Sequence, residues 1–167
     1  MSEGSEIVVR AVVIGVGATV VMDLWAVLLK RVFGIGGLDY AMVGRWIGHL
    51  PRGRLVHDGI GKAPPVAGER AIGWIAHYAI GVAFAAALLA VWGLDWARHP
   101  SFLPALAFGL VTLVAPFFVL QPGLGAGVAA SRTPNPGRAR LLSVAAHTAF
   151  GVGLYGSALL CALLIRP

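Results

Sequence analysis

Asp23, His77 and His147 are the residues whose types and spacing carry chemistry in this chain. Each sits inside a long apolar run, where an ionisable group is costly and marks a functional site by default. Depth ties the three together. Asp23 lies seven positions before Lys30, His77 seven after Arg70 and His147 seven after Arg140. A rise of ~1.5 Å per helical residue puts each about 10 Å below the same membrane edge. Gln121 stands at the corresponding end of the third apolar run, and Tyr78 adjoins His77.

Several chemistries suit this set. A carboxylate and an imidazole exchange protons, the basis of a relay or of proton-coupled transport. Neutral imidazoles with a carboxylate suit zinc, iron or copper, which makes His77, His147 and Asp23 the metal candidates. His77 and His147 on facing helices could also ligate haem, with Gly81 and Gly151 leaving room for a flat cofactor. No haem signature is present, and no cofactor is assigned. The contrasting reading is structural: the histidines hydrogen-bond Asp23, Tyr78 or Thr148 and fix helix packing. Transport of a small solute, ion or proton, or ion binding, is the leading expectation. A scaffold with a packing core is the alternative, and metal or haem binding the lesser one.

The elements that must position these groups are transmembrane helices. Residues 71–94, 101–131 and 141–165 contain no Lys, Arg, Asp or Glu, and 7–33 is nearly as apolar around Asp23. A hydrocarbon core of ~30 Å needs ~20 apolar helical residues. The sequence therefore predicts an all-α fold: a four-helix transmembrane bundle with spans at about 7–33, 71–94, 102–121 and 141–165. The 167 residues are used up by these spans and their loops, so 1–167 reads as a single integral membrane domain. Glu3 and Glu6 stand where a cleavable signal needs positive charge, so the first span is expected to be retained.

Asp39 is a helix N-cap candidate. After it, Val43, Trp46, Ile47 and Leu50 recur at helical spacing, with Arg45 and His49 on other faces and Pro51 as the stop. This predicts an amphipathic interfacial helix over 39–50. Gly93–Pro100 reads as a short outer turn, with Trp92 and Trp96 in an aromatic belt. Pro116 is expected to disturb the third span, with Thr112 satisfying local backbone groups.

Small residues recur at helical spacing beside the polar set. Gly73, His77 and Gly81 lie four apart, as do Ser143, His147 and Gly151, and Gly15, Thr19 and Asp23. Such faces let membrane helices approach closely, so Gly73, Gly81 and Gly151 are packing candidates. They also make a homo-oligomer conceivable. Ala76-His-Tyr-Ala-Ile-Gly-Val82 echoes Ala146-His-Thr-Ala-Phe-Gly-Val152. The echo suggests two repeated helical hairpins of like orientation, an arrangement known in transporters.

Charge sets orientation. Lys30, Arg31, Arg45, Arg52, Arg54, Lys62 and Arg70 lie after the first span, and Arg132, Arg138 and Arg140 after the third. The opposite side holds Arg10, Arg98 and Arg166. The positive-inside rule places both long connections in the cytoplasm and both termini outside. The basic loops would meet anionic lipid headgroups. Net charge of +6 does not indicate nucleic acid here, because the charge is segregated by loop. Cys161 is the only cysteine, so there is no intrachain disulfide. No nucleophile motif, phosphate loop or HExxH occurs, and GlyXGlyXGly at 123–127 follows no strand. The sequence thus leans against an enzyme. His49, His57 and Asp58 read as part of a solvated basic face.

Several segments resemble a family of small bacterial membrane proteins, domain of unknown function 2938. They are Thr19-Val-Val-Met-Asp23, Val43-Gly-Arg-Trp-Ile-Gly-His49, Gly73-Trp-Ile-Ala-His-Tyr78, Ala115-Pro-Phe-Phe, Gln121-Pro-Gly-Leu-Gly-Ala-Gly127 and His147-Thr-Ala-Phe-Gly-Val-Gly-Leu-Tyr155. The resemblance implies a multi-pass protein of the bacterial inner membrane and brings no catalytic residues.

Overall fold

The computed structural model describes residues 2–165. Arg166, one of the basic residues placed on the outer side, and Pro167 lie outside the described residues. Among those described there are helices and turns and no strands. Six α-helices follow in order: α1 (Glu3–Phe33), α2 (Tyr40–His49), α3 (Glu69–Arg98), α4 (Phe102–Val111), α5 (Gln121–Leu124) and α6 (Pro136–Leu164). Four stretches are long and apolar enough to cross a membrane: α1, α3, Phe102–Leu124 and α6. Their large apolar side chains point outward, as with Ile75 at 70% and Leu163 at 69% exposure. A water-soluble helix hides such a face; a membrane helix presents it to lipid. These features mark a membrane protein.

Local chemistry sets the helix ends. Ser2 caps α1 by accepting from the Ser5 N–H. At the other end Gly34 takes a left-handed conformation (φ 66°). Its N–H reaches the Lys30 carbonyl and the Ile35 N–H that of Leu29, a glycine-closed terminus. Asp39 caps α2 through Ala41 N–H at 2.9 Å, as its position predicts. The helix stops at His49 and tightens to a 3₁₀ turn, Leu50–Arg52, that takes in Pro51.

The chain divides into two compact units. The first comprises Met1–Gly37, Tyr78–Thr112 and Ala146–Pro167. It contains α1, the later part of α3, α4 and most of α6. A Cβ on Gly15 would strike the Val82 and Gly81 backbone, and one on Gly109 would strike Gly151. A Cβ on Gly153 would meet Ala18. Close approach at these glycines sets the helices against one another, and Ile14, Ala18, Leu88, Phe150 and Leu154 fill the core. The sequence echo has a counterpart here. Gly81 meets α1 beside Gly15 and Thr19, and Gly151 meets α4 beside Leu106 and Gly109.

The second unit comprises Leu38–His77 and Leu113–Ala145. It contains α2, the connection to α3, the first turns of α3, the segment after α4, and the start of α6. Past a turn at Thr112–Leu113 the chain forms a π-helical stretch, Pro116–Leu120, before α5. Proline lacks the N–H that the Thr112 carbonyl would accept, and a π turn is a usual answer to a broken ladder.

Three boundaries differ from the sequence expectation. α3 does not end near Leu94: Gly93 breaks it (φ 75°) and helix resumes to Arg98. Trp96 is accordingly buried at 6% exposure, its N–H donating to the Ser101 carbonyl, and does not belong to a belt. α6 opens at Pro136 and α1 at Glu3, because polar first turns extend helices whose apolar stretch starts later.

Candidate functional site

Asp23 sits on α1 in the first unit. Tyr78, on α3, donates its hydroxyl to Asp23 Oδ2 at 3.0 Å. Both side chains are partly exposed. A phenol is a neutral donor, so the bond orients the carboxylate without cancelling its charge.

His147, on α6, meets Thr112 at the end of α4. Thr112 Oγ1 donates to the Gly109 carbonyl at 2.6 Å and lies 2.8 Å from His147 Nδ1. A hydroxyl has one hydrogen, and Gly109 takes it. His147 therefore donates from Nδ1, which fixes its tautomer when neutral. Thr112, expected to satisfy local backbone groups, does so at the Gly109 carbonyl and also meets His147. Thr19 turns its hydroxyl back to the Gly15 carbonyl at 2.8 Å and packs on Gly81.

His77 belongs to the second unit. Tyr40, the first residue of α2, meets its Nε2 at 2.9 Å and stacks on it at 4.3 Å between ring centroids. Trp74 packs on Tyr40 at 4.4 Å and edge-on to His77 at 5.9 Å between ring centroids. Gly73 allows this: a Cβ there would overlap the Tyr40 carbonyl, and one on Gly44 would overlap the Glu69 carbonyl. Gln121 donates to Ser143 Oγ at 3.2 Å, while its Oε1 is buried with no partner among the described residues. Among the described residues no three His, Cys, Asp or Glu side chains converge to hold a metal ion, so the metal candidates Asp23, His77 and His147 do not make a three-ligand centre.

Two polar clusters escape the sequence reading. At the start of α1, Arg10 is fully buried and Glu6 nearly so. Arg10 donates to Glu6 Oε1 at 2.8 Å, to the Ala97 carbonyl at 3.0 Å and to the Ile165 carbonyl at 2.8 Å. Arg98 forks onto the same carboxylate at 3.1 and 2.7 Å. By sequence alone Arg10 and Arg98 count only among the charges of the side opposite the basic loops. The spacing of Glu6 and Arg10 at i, i+4 is the signal that was available.

In the second unit Arg45 forks onto Glu69 at 2.8 and 2.7 Å and reaches the Gly61 and Ala63 carbonyls. Glu69 also accepts from the Val66 N–H at 3.0 Å. The Glu69 carboxylate holds the Arg45 guanidinium above its ordinary range. Arg45, His49 and His57 are all buried, which for the two histidines corrects the expected placement on a solvated basic face. The reason is the connection 53–68, which folds back over α2 and offers its carbonyls as acceptors. Trp46 donates to the Leu55 carbonyl at 2.9 Å as part of the same arrangement.

A sequence model of one protein family, described as protein of unknown function (DUF2938), matches residues 12–161. No curated protein and no solved structure matches the chain.

Proposed function

Taking the chain as a member of that family, to which the match over 12–161 assigns it, we propose that it is a multi-pass membrane protein that moves or binds a proton or small cation at Asp23. The Tyr78–Asp23 bond carries this reading. A carboxylate in a helix able to cross a membrane, oriented by a phenol and still partly exposed, is placed to meet a proton or a cation. A carboxylate sealed against arginine is not. Such an intramembrane acid is the usual element of proton and ion pathways. Orientation follows charge: the loops rich in Lys and Arg face the cytoplasm of a bacterial inner membrane, beside anionic headgroups, and the termini face outside.

The test is flux. Purified protein in sealed vesicles, loaded with a pH-sensitive dye, receives a pH step with and without a potassium-diffusion potential. Proton movement above that of empty vesicles, lost in Asp23→Asn, is the expected result. No flux in wild type, together with no Asp23-dependent uptake of Na⁺ or K⁺, removes the proposal.

A second reading rests on Thr112. Its hydroxyl satisfies the Gly109 carbonyl and accepts from His147 at the point where α4 ends. That double bond pattern supports a packing role for His147. In this reading His147→Ala lowers stability and leaves flux per folded protein unchanged.

A further inference from the structure

We propose that His49 and His57 form a binding seat for a divalent transition-metal ion, with zinc as its representative. The seat lies wholly within the second unit and is separate from Asp23.

The argument starts from tautomers. His49 Nε2 lies 3.0 Å from the Pro64 carbonyl, and His57 Nδ1 lies 3.2 Å from the Gly123 carbonyl. A carbonyl only accepts, so each of these nitrogens carries the hydrogen. In the neutral rings the other nitrogens, His49 Nδ1 and His57 Nε2, hold lone pairs. Both atoms are buried with no partner among the described residues. The residues are 3% and 9% exposed. Buried acceptors are normally paired, and two orphans on neighbouring rings need an explanation.

The pattern matches what a metal-binding histidine requires. Such a residue gives its second ring N–H to a carbonyl or carboxylate, which fixes the tautomer and aims the lone pair. Both rings have this support. The same Gly123 carbonyl also accepts the His57 backbone N–H at 3.1 Å, so the residue is anchored twice. The ring centroids are 5.2 Å apart and the planes nearly perpendicular at 82°. With metal–nitrogen distances of ~2.0–2.1 Å, two imidazoles at a tetrahedral angle have centroids roughly 5 Å apart. The spacing fits a shared ion.

A way in exists. His57 lines a cavity of about 300 Å³ with Asp58, Arg54, Lys62 and Pro64, the residue whose carbonyl holds His49. Two protein nitrogens leave the remaining coordination positions to water or to an added ligand, as in open zinc sites. Imidazole donors favour zinc, copper and nickel over magnesium or calcium.

The experiment uses the full chain in detergent, stripped of metal and titrated with zinc against a chromophoric chelator. Thermal unfolding is followed in parallel. We expect one zinc per chain and a rise in unfolding temperature. His49→Gln and His57→Gln, whose amides keep a donor for the two carbonyls, should weaken binding by about tenfold or more. His77→Ala and His147→Ala should leave it unchanged. X-ray absorption of the zinc-loaded wild type gives an independent reading and should count two imidazoles. The proposal is overturned by absence of saturable binding near one equivalent. It is equally overturned by binding untouched in both Gln variants, or by fewer than two imidazoles on the metal.

Discussion

Two acidic side chains of the same helix, α1, meet opposite fates. Glu6 is sealed at the helix start, where Arg10 and Arg98 occupy both of its oxygens and Arg10 also ties down the Ala97 and Ile165 carbonyls. Asp23, farther along, accepts from a phenol and stays partly exposed. Charge in the apolar region is therefore not one category. Where a guanidinium is fully buried and its donors reach carboxylate and carbonyls, the cluster closes the fold. Where a carboxylate accepts from a phenol and stays partly exposed, it is oriented without being buried.

The sharpest way to break this contrast is Arg10→Met. It leaves a buried carboxylate short of one partner and two carbonyls without their donor. Removing one member of a buried ionic group is strongly destabilising, and the unfolding temperature should fall by about 10 °C. Thermal unfolding of purified protein measures it. If Arg10→Met unfolds like wild type, the cluster does not close the fold.

Glycine contacts come next. Gly109→Ala forces a methyl into the Gly151 backbone, while Gly156 has open space around it. The first should cost about 1–3 kcal/mol as overpacking. Gly156→Ala should be neutral or stabilise by up to ~1 kcal/mol, the helix preference of alanine over glycine. Equal effects of the two in a denaturation series would remove the close-approach explanation.

Asp23→Asn sharpens the comparison from the other side. Asparagine still accepts from Tyr78, so the unfolding temperature should move by less than about 3 °C, while proton flux falls at least ~10-fold. A large loss of stability with unchanged flux would put Asp23 in the same class as Glu6.

The smallest effect concerns Arg45. Its pKa is raised in the fold by Glu69. A raised value contributes stability that is fully present below the unfolded pKa and lost only as pH climbs through the folded one. For a guanidinium both lie above ordinary alkaline conditions. Protease cleavage within 53–68 should therefore stay flat from about pH 7 to 10 in wild type and rise in Arg45→Gln. A rise with pH in wild type would place the control on another group.

Much of this was legible in the residues, for physical reasons. Apolar run length against bilayer thickness predicts four helices able to cross a membrane, and Asp39 announces a helix start through capping chemistry. Gly15, Gly81 and Gly151 announce contact faces by spacing, whereas Gly109 is revealed only by the packing. Family membership was also readable from short segments spread from Thr19 to Tyr155. The sequence determined these because each depends on a local pattern. Which polar groups meet did not follow. His147 finds Thr112, His77 finds Tyr40, and Arg45 finds Glu69 across 24 positions of chain. His49 looks like a surface residue until the connection 53–68 folds over α2, and His57, within that connection, until it docks on Gly123. Burial and pairing of this kind depend on segments distant in sequence. Only the tertiary structure decided that two arginines would seal Glu6, that Tyr78 would meet Asp23, and that the His49 and His57 rings would come within 5.2 Å of each other, because each of these arrangements depends on contacts between segments far apart in the chain.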